Sequence, residues 1–456
     1  MRTALLLVLY LALTLLPLLL AAGQGAPRRA WLDELSTGMA MAGYAILLAE
    51  FALSGRFPRL SRGIGMDLTM RFHQWMALGA LALLIAHPIL YTDYGWRPGP
   101  GSLSAVKLTP AATVSGMLAW LVLVLLVVFA WSRRHLPWSY EAWRLSHGIG
   151  ALLLAALGAH HALDTGHYSE ETWLRAFWLA AAALALLTLV RVYLLKPLLQ
   201  PRWRVAAVTP EAERLWRVVL EPDSARRFTF AAGQFAWLKL HCALGRITEH
   251  PFSIASAPGQ LPRLQFLVKE AGDFTGAIGA VAPGTRAYVD GPYGDFILEG
   301  HESKGVMLIA GGVGIAPILG LARDLAATGY ARPLKIVYAD KNAAQLAARG
   351  ELESIARAPG RELHLVLGTY LDRERLAKLM PPEGADQWLY FVCGPPAMID
   401  AVELSLSRFG IPLRQIVSER FVYDTGIATP REKLTRAVIG AVVLAQALAV
   451  LGFMLR

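Results

Sequence analysis

Seven apolar segments constrain this chain more than any other feature. They fall at about 4–22, 36–54, 68–92, 110–131, 145–163, 173–195 and 436–455. Each is long enough to cross the roughly 30 Å hydrocarbon core of a bilayer as a helix. In that medium an open chain satisfies its own backbone only by being helical. Composition agrees, with 55% hydrophobic and 17% charged residues, and the apolar excess is confined to these segments. Residues 203–423 read instead as soluble α/β chain. The lipid bilayer is therefore the first expected partner. The first segment ends in Ala21-Ala22-Gly23, which resembles a signal cleavage site. Its apolar run exceeds a usual signal core, so it is expected to be retained.

The formal net charge is +10, which suits nucleic acid or an anionic membrane surface. The arginines are scattered, and several lie in short loops between apolar segments, which favours the membrane and no nucleic acid. Arg56, Arg59 and Arg62 crowd the loop 55–66, Arg133 and Arg134 the loop 132–141, and Arg191 and Lys196 close the sixth segment. The opposite loops carry Asp33, Glu34, Asp164, Glu170 and Glu171. By the positive-inside rule, the arginine loops and everything after Lys196 face the cytoplasm. We expect a bacterial cytoplasmic membrane. Cys242 and Cys393 are the only cysteines, which excludes a disulfide framework and disfavours a thiolate metal site.

Histidines inside membrane segments are functional candidates by default. His73 and His87 lie fourteen residues apart on the third segment, and His147 and His161 repeat that interval on the fifth. Fourteen helical steps fall about 40° short of four full turns and rise about 21 Å. Each pair therefore shares one helix face, with one ring near each membrane surface. The two segments run in the same direction, so the four rings define two bis-histidine haem sites, His73 with His147 and His87 with His161. Imidazole on both axial positions suits electron transfer. His160 rivals His161, although thirteen steps turn it about 140° from the direction of His147 on an ideal helix. His135 and His167 are expected at the surface.

After a short linker at Pro197 and Pro201, β-rich runs at Trp203–Val208, Trp216–Leu220 and Arg263–Val268 predict a small antiparallel barrel to about residue 300. From Gly305 strands and helices alternate, with strands at Val306–Ala310, Lys335–Ala339, Glu362–Leu367 and Leu389–Val392. That pattern predicts a doubly wound parallel sheet. His250, Pro251, Phe252 and Ser253 offer an aromatic face, a hydroxyl and a donor on one short strand, as a flavin needs. Lys269 and Thr275, within Gly272-Asp273-Phe274-Thr275, suit its pyrophosphate. Gly311, Gly312 and Gly314 follow a strand and open a helix, so their backbone can approach a phosphate at a helix N-terminus. Cys393, Gly394 and Pro395 follow another strand and fall at the same sheet edge.

The ordered set of membrane histidine pairs, HPFS at 250–253, GDFT at 272–275, DGPYG at 290–294, GGVGIAP at 311–317 and VCGPP at 392–396 resembles the ferric reductase and NADPH oxidase superfamily. The resemblance spans about residues 36–423. It implies an α-helical transmembrane haem-binding bundle with a cytosolic FAD-binding β-barrel and an α/β nucleotide-binding domain. The expected organisation is an N-terminal helix and outer loop at 1–35, the haem domain at 36–196, the barrel at 203–300, the NAD(P)H domain at 303–423, and a further transmembrane helix at 436–455. The resemblance implies that His250, Phe252 and Ser253 contact FAD, that Lys269 and Thr275 approach its phosphates, and that Gly312, Gly314 and Cys393 to Pro395 border the nucleotide. Ser253, Cys393 and Phe421 are the expected catalytic residues.

Two features depart from that pattern. The aromatic that would cover the flavin, Phe421, does not end the chain, and a seventh apolar segment follows. At the position that selects the nucleotide stand Asp340 and Lys341. The acid suits a free ribose hydroxyl and so NADH, whereas Lys341 could meet a 2′-phosphate. The implied activity carries hydride from NADH or NADPH to FAD, then single electrons through two b-type haems to an external acceptor. Ferric iron is favoured over oxygen. A periplasmic redox partner, or a non-redox membrane role, is the remaining alternative.

Overall fold

The structure is a computed structural model, and it describes residues 2–26, 29–54, 57, 66–90, 110–199, 201–223, 228–240, 249–369, 371–420 and 429–456. Phe421, Cys242 and the arginine-rich loop at Arg56, Arg59 and Arg62 lie outside the described residues. The chain divides into two compact units, one of long helices and one of sheets, with the sheets within Leu199–Leu434.

Among the described residues, six long helices open the first unit: α1 (Arg2–Ala22), α2 (Trp31–Ser54), α3 (Met66–Leu90), α4 (Pro110–Trp131), α5 (Tyr140–Thr165) and α6 (Thr172–Val190). Large apolar side chains such as Trp131, Trp173, Leu187 and Leu19 point outward, while Thr14, Ser36, Glu50 and Ser115 are buried. This is the reverse of a water-soluble bundle, in which apolar side chains face inward. It suits helices whose outer solvent is hydrocarbon.

Helix α6 does not stop before Pro197, as the linker reading expects. Arg191–Leu195 widens into a π turn, in which the Lys196 amide donates to the Arg191 carbonyl, and helix resumes over Lys196–Leu199. A helical proline lacks the amide for its own i−4 bond and crowds that carbonyl. A locally wider turn accommodates it.

In the second unit, β1 (Arg202–Ala212), β2 (Leu215–Pro222), β3 (Phe235–Leu240), β4 (His250–Ser253), β5 (Leu264–Lys269) and β6 (Arg286–Tyr293) form an antiparallel sheet in the order β4-β3-β6-β1-β2-β5. A bridge between Ile254, just past β4, and Phe266 of β5 joins the two edges into a barrel. Its core is Trp203, Val218, Leu238, Phe266 and their neighbours.

Five parallel strands follow: β7 (Val306–Gly311), β8 (Leu334–Asp340), β9 (Arg361–Leu367), β10 (Leu389–Cys393) and β11 (Ile416–Glu419), in the order β11-β10-β7-β8-β9. The chain first adds strands on one side of β7 and then returns to the other. This makes the gap between β7 and β10 the switch point where such sheets bind ligands. Helix α7 (Ile315–Ala327) follows β7, and α8 (Pro396–Arg408) follows β10.

The last helix, α9 (Pro430–Leu455), belongs to the first unit, where Val450 and Phe453 pack with α1 and α2. It begins six residues before the apolar run predicted from 436, because Glu432 and Lys433 lengthen it without lying in the apolar stretch. The Gln446 amide donates to Thr14 Oγ1 of α1. At the far end of the bundle, the Arg456 guanidinium donates to the Ala21 carbonyl and pairs with Glu34 of α2. Seven helices among the described residues are long and apolar enough to cross a membrane.

Candidate functional site

The bundle places its histidines at two levels. At the far end, the rings of His87 on α3 and His161 on α5 face each other with centres 6.4 Å apart. Two imidazoles on opposite faces of one iron, with bonds of about 2.0 Å, have ring centres roughly 6 Å apart. The pair therefore fits a six-coordinate haem. His161 packs against Gly116 of α4, where any Cβ would sit 2.7 Å from the ring. His160 turns away from this pair and bonds through Nδ1 to Ser115 Oγ at 3.0 Å. The structure thus brings His161, and not His160, to His87, as helical geometry requires.

His87 is oriented from behind. Its Nδ1 lies 3.0 Å from the Ser36 carbonyl and 2.8 Å from Ser36 Oγ. Donation from Nδ1 to the carbonyl would leave Nε2 as the ligand nitrogen. At the other level stand His73 of α3 and His147 of α5, each fourteen residues along its helix from the histidine of the first pair. His73 Nδ1 is 2.8 Å from Glu50 Oε2, and the Tyr10 hydroxyl donates to the other Glu50 oxygen at 2.8 Å. His147 stacks on Trp143, with ring centres 5.4 Å apart. Ala80 and Leu154 stand midway between the two levels, seven residues from each histidine on their helices, and both are buried in one apolar cluster. His135 is exposed as expected. His167 is half-buried against the Tyr168 ring rather than lying free at the surface, because Tyr168 is itself drawn inward by Glu34.

In the sheet unit, β4 carries His250 to Ser253 in antiparallel register with β3, with Ser253 opposite Phe235. Ser253 is buried. The two predicted flavin motifs meet, since Phe274 of the GDFT turn stacks on His250 at 4.2 Å and lies 6.2 Å from Phe252. Thr275 closes its own turn, accepting from the Ala271 and Gly272 amides. Lys269 is exposed at the end of β5. Beyond β4, the Ala255 carbonyl accepts from Arg323 of α7 at 2.9 Å, and Arg323 also pairs with Glu351. Gly320 of α7 lies so close that a Cβ would fall 2.8 Å from the Ile254 carbonyl. The helix opened by the glycine loop is therefore clamped to the strand that carries Ser253, which fixes one motif relative to the other.

Gly311 to Gly314 form a tight turn between β7 and α7. Gly314 needs its missing side chain for space: a Cβ there would lie 2.3 Å from the Cys393 carbonyl oxygen. A Cβ on Gly394 would likewise meet the Gly311 backbone at 3.1 Å. Gly312 has a positive φ of 53° and open space around it, which leaves its backbone facing the crevice. The two loops thus line the β7–β10 switch point backbone to backbone. Cys393 is buried, and burial together with the Glu419 carboxylate pushes its thiol well above the usual range. It is held as a neutral thiol.

Glu419, two residues before Phe421, pairs with Cys393 in the β10–β11 register. Its carboxylate also lies beside Gly294 of the DGPYG turn. Asp340 ends β8, and its carboxylate accepts from the Lys341 amide at 2.8 Å.

A helical membrane unit with paired histidines, joined to a barrel and a nucleotide-binding sheet, defines a membrane oxidoreductase. Residues 39–158 match the family described as ferric reductase like transmembrane component, and residues 308–404 match the oxidoreductase NAD-binding domain. The reductase component of propane 2-monooxygenase from Gordonia sp. (strain TY-5) is 31% identical over 244 residues, covering 48% of this chain and 66% of that protein. The corresponding component from Mycolicibacterium goodii is 27% identical over 241 residues, covering 49% and 68%. Dual oxidase 2 of Rattus norvegicus is 26% identical over 311 residues, covering 58% of this chain and 19% of its own length. The chain thus combines a ferric-reductase-like transmembrane component with an oxidoreductase NAD-binding domain, and it is similar to dual oxidase 2. It is an integral membrane protein that carries a reductase module with an NAD-binding domain.

Proposed function

We propose that this chain takes electrons from cytosolic NADH or NADPH and delivers them across the membrane, through FAD and two b-type haems, to an external acceptor, with ferric iron favoured. The observation that carries the proposal is the facing pair His87 and His161, repeated one level away by His73 and His147, in the same chain as a nucleotide crevice. Those four histidines would hold the two haem irons. His250, Phe252 and Ser253 would face the flavin ring, and Lys269 and Thr275 its phosphates. Gly311, Gly312, Gly314, Gly394 and Pro395 would border the nucleotide, with Asp340 and Lys341 at its ribose. FAD, when bound, divides a two-electron hydride into single-electron deliveries, and haem carries them one at a time.

The protein's part is placement. Arg323 and Gly320 hold the flavin strand to the helix that follows the nucleotide loop. Cys393 presents a neutral thiol, and Phe421 would cover the flavin. Ser36 and Glu50 fix the tautomers of their histidines. The chain leaves the bundle toward the module after α6 and returns through α9, so α9 tethers the module a second time. One NAD(P)H supplies two electrons, enough for two ferric ions or two molecules of superoxide. The likeness to dual oxidase 2 favours oxygen as a second acceptor. Delivery to a periplasmic redox partner is a third route.

The test is a steady-state assay of the purified protein with NADH or NADPH, comparing a ferric chelate with oxygen, each with and without superoxide dismutase. Chelate reduction that superoxide dismutase leaves unchanged supports the ferric reading. Complete suppression by the dismutase assigns oxygen as the acceptor.

A further inference from the structure

The two histidine levels sit in different electrostatic settings, and residues outside the histidine helices create the difference. His73 faces a carboxylate. Glu50 of α2 is 4% exposed, takes the His73 Nδ1 contact on one oxygen and accepts from Tyr10 on the other. With Nε2 reserved for iron, His73 must donate from Nδ1, so both Glu50 oxygens act as acceptors, which is the hydrogen-bonding pattern of a carboxylate. His87 faces neutral groups instead, the carbonyl and hydroxyl of Ser36. The charges described at its own end of the bundle are paired, Arg29 with Glu34 at 3.1 Å, so they largely offset each other.

Both effects of the carboxylate act in the same direction. A carboxylate that accepts the Nδ1 proton raises the basicity of the ligand nitrogen, and a basic ligand favours ferric over ferrous iron. A buried negative charge also favours the more positive oxidation state, and does so strongly where the dielectric is low. A neutral acceptor does neither, and so leaves ferrous iron more favoured at the His87 level. One charge opposes the difference: Arg133 lies over Trp143, which stacks on His147. Arg133 is exposed and separated from His147 by the indole, so solvent screens it, whereas Glu50 is in direct contact.

We propose that Glu50 is a positioning residue that acts through His73 to make the haem held by His73 and His147 the weaker electron acceptor. Electrons arriving there are thereby driven toward the His87–His161 level. The inference rests on the haem-ligand reading above, so haem content is measured first.

The experiment is a spectroelectrochemical titration of the full-length purified protein, following the haem absorption bands. A pyridine haemochromogen count that finds no haem refutes the ligand reading and leaves the titration without a subject. With two haems per chain, two midpoints are expected, and His87→Ala should leave only the lower one. Glu50→Gln should raise that lower midpoint by at least a tenfold change in its reduction equilibrium, about 59 mV for one electron, while the upper midpoint stays in place. Tyr10→Phe removes a donor from Glu50 and leaves its charge less shared, so it should lower the same midpoint. Ser36→Ala should move only the upper one. If Glu50→Gln loses a haem, Tyr10→Phe decides, and an unmoved lower midpoint overturns the proposal. The proposal is also overturned if Glu50→Gln keeps both haems with both midpoints unchanged, or if the haem left in His87→Ala has the upper midpoint.

Discussion

The helical unit and the sheet unit handle polar chemistry in opposite ways. In the helices, function lies in side chains projected inward from continuous backbone. On the proposed reading His73, His87, His147 and His161 act because each helix turns its pair to one face, and Glu50 and Ser36 contact the Nδ1 atoms of two of them. In the sheets, function lies largely in backbone exposed where strands end. On the proposed reading Gly311, Gly312, Gly314 and Gly394 act by having nothing beyond Cα. The solvent explains the contrast. A membrane segment cannot open its hydrogen-bonded backbone to a ligand, so only its side chains are available. A parallel sheet in water ends in loops whose amides are free to meet an anion.

The comparison breaks first at the histidines. Replacing His87 with Ala should reduce haem content from two per chain to one, with flavin reduction by NAD(P)H unchanged within about a factor of two, as read by the pyridine haemochromogen and anaerobic flavin bleaching. Retention of two haems would refute the assignment. A smaller effect is expected in the sheet unit. Gly314→Ala forces a methyl group against the Cys393 carbonyl, at a cost of about 1–3 kcal/mol by analogy with overpacked cores. Nucleotide affinity should fall about tenfold or more, with FAD and haem content intact, measured by nucleotide titration of flavin fluorescence.

The tether sharpens the comparison where the two units meet along the chain. A truncation after Asp424 should keep FAD but reduce haem several-fold more slowly in stopped-flow, because one of two attachments is gone. Unchanged haem reduction would make α9 dispensable for transfer. The smallest effect is expected at Asp340. Asp340→Ala should narrow a preference for NADH over NADPH by a few-fold, in the ratio of kcat/KM. A wild-type protein strongly selective for NADPH would contradict the role given to that carboxylate.

Much of this architecture is legible in the sequence because it repeats at short range. The strand predicted at Leu389–Val392 is found at Leu389–Cys393, and that at Val306–Ala310 at Val306–Gly311. The fourteen-residue interval puts His73 with His87 on one face of α3 and His147 with His161 on one face of α5, and the facing of His87 and His161 agrees with it. The second layer of the site is not legible in this way. Tyr10 meets Glu50 across 40 residues, Glu50 meets His73 across 23, and Ser36 meets His87 across 51. No periodicity relates positions on different helices. A buried glutamate in an otherwise uncharged apolar run was the available signal, because a membrane carboxylate is costly without a partner. Glu419 was hidden differently, since its nearness to Cys393 comes from the pairing of two parallel strands joined through α8.

The central claim is that one chain joins a nucleotide-driven flavin to two haems. Its most direct test is anaerobic mixing of the purified protein with NADH or NADPH while the flavin and haem bands are followed together. The account predicts two b-type haems and one FAD per chain, with flavin bleaching followed by reduction of both haems. Absence of haem, or flavin that bleaches while the haem bands stay fully oxidised, would contradict it.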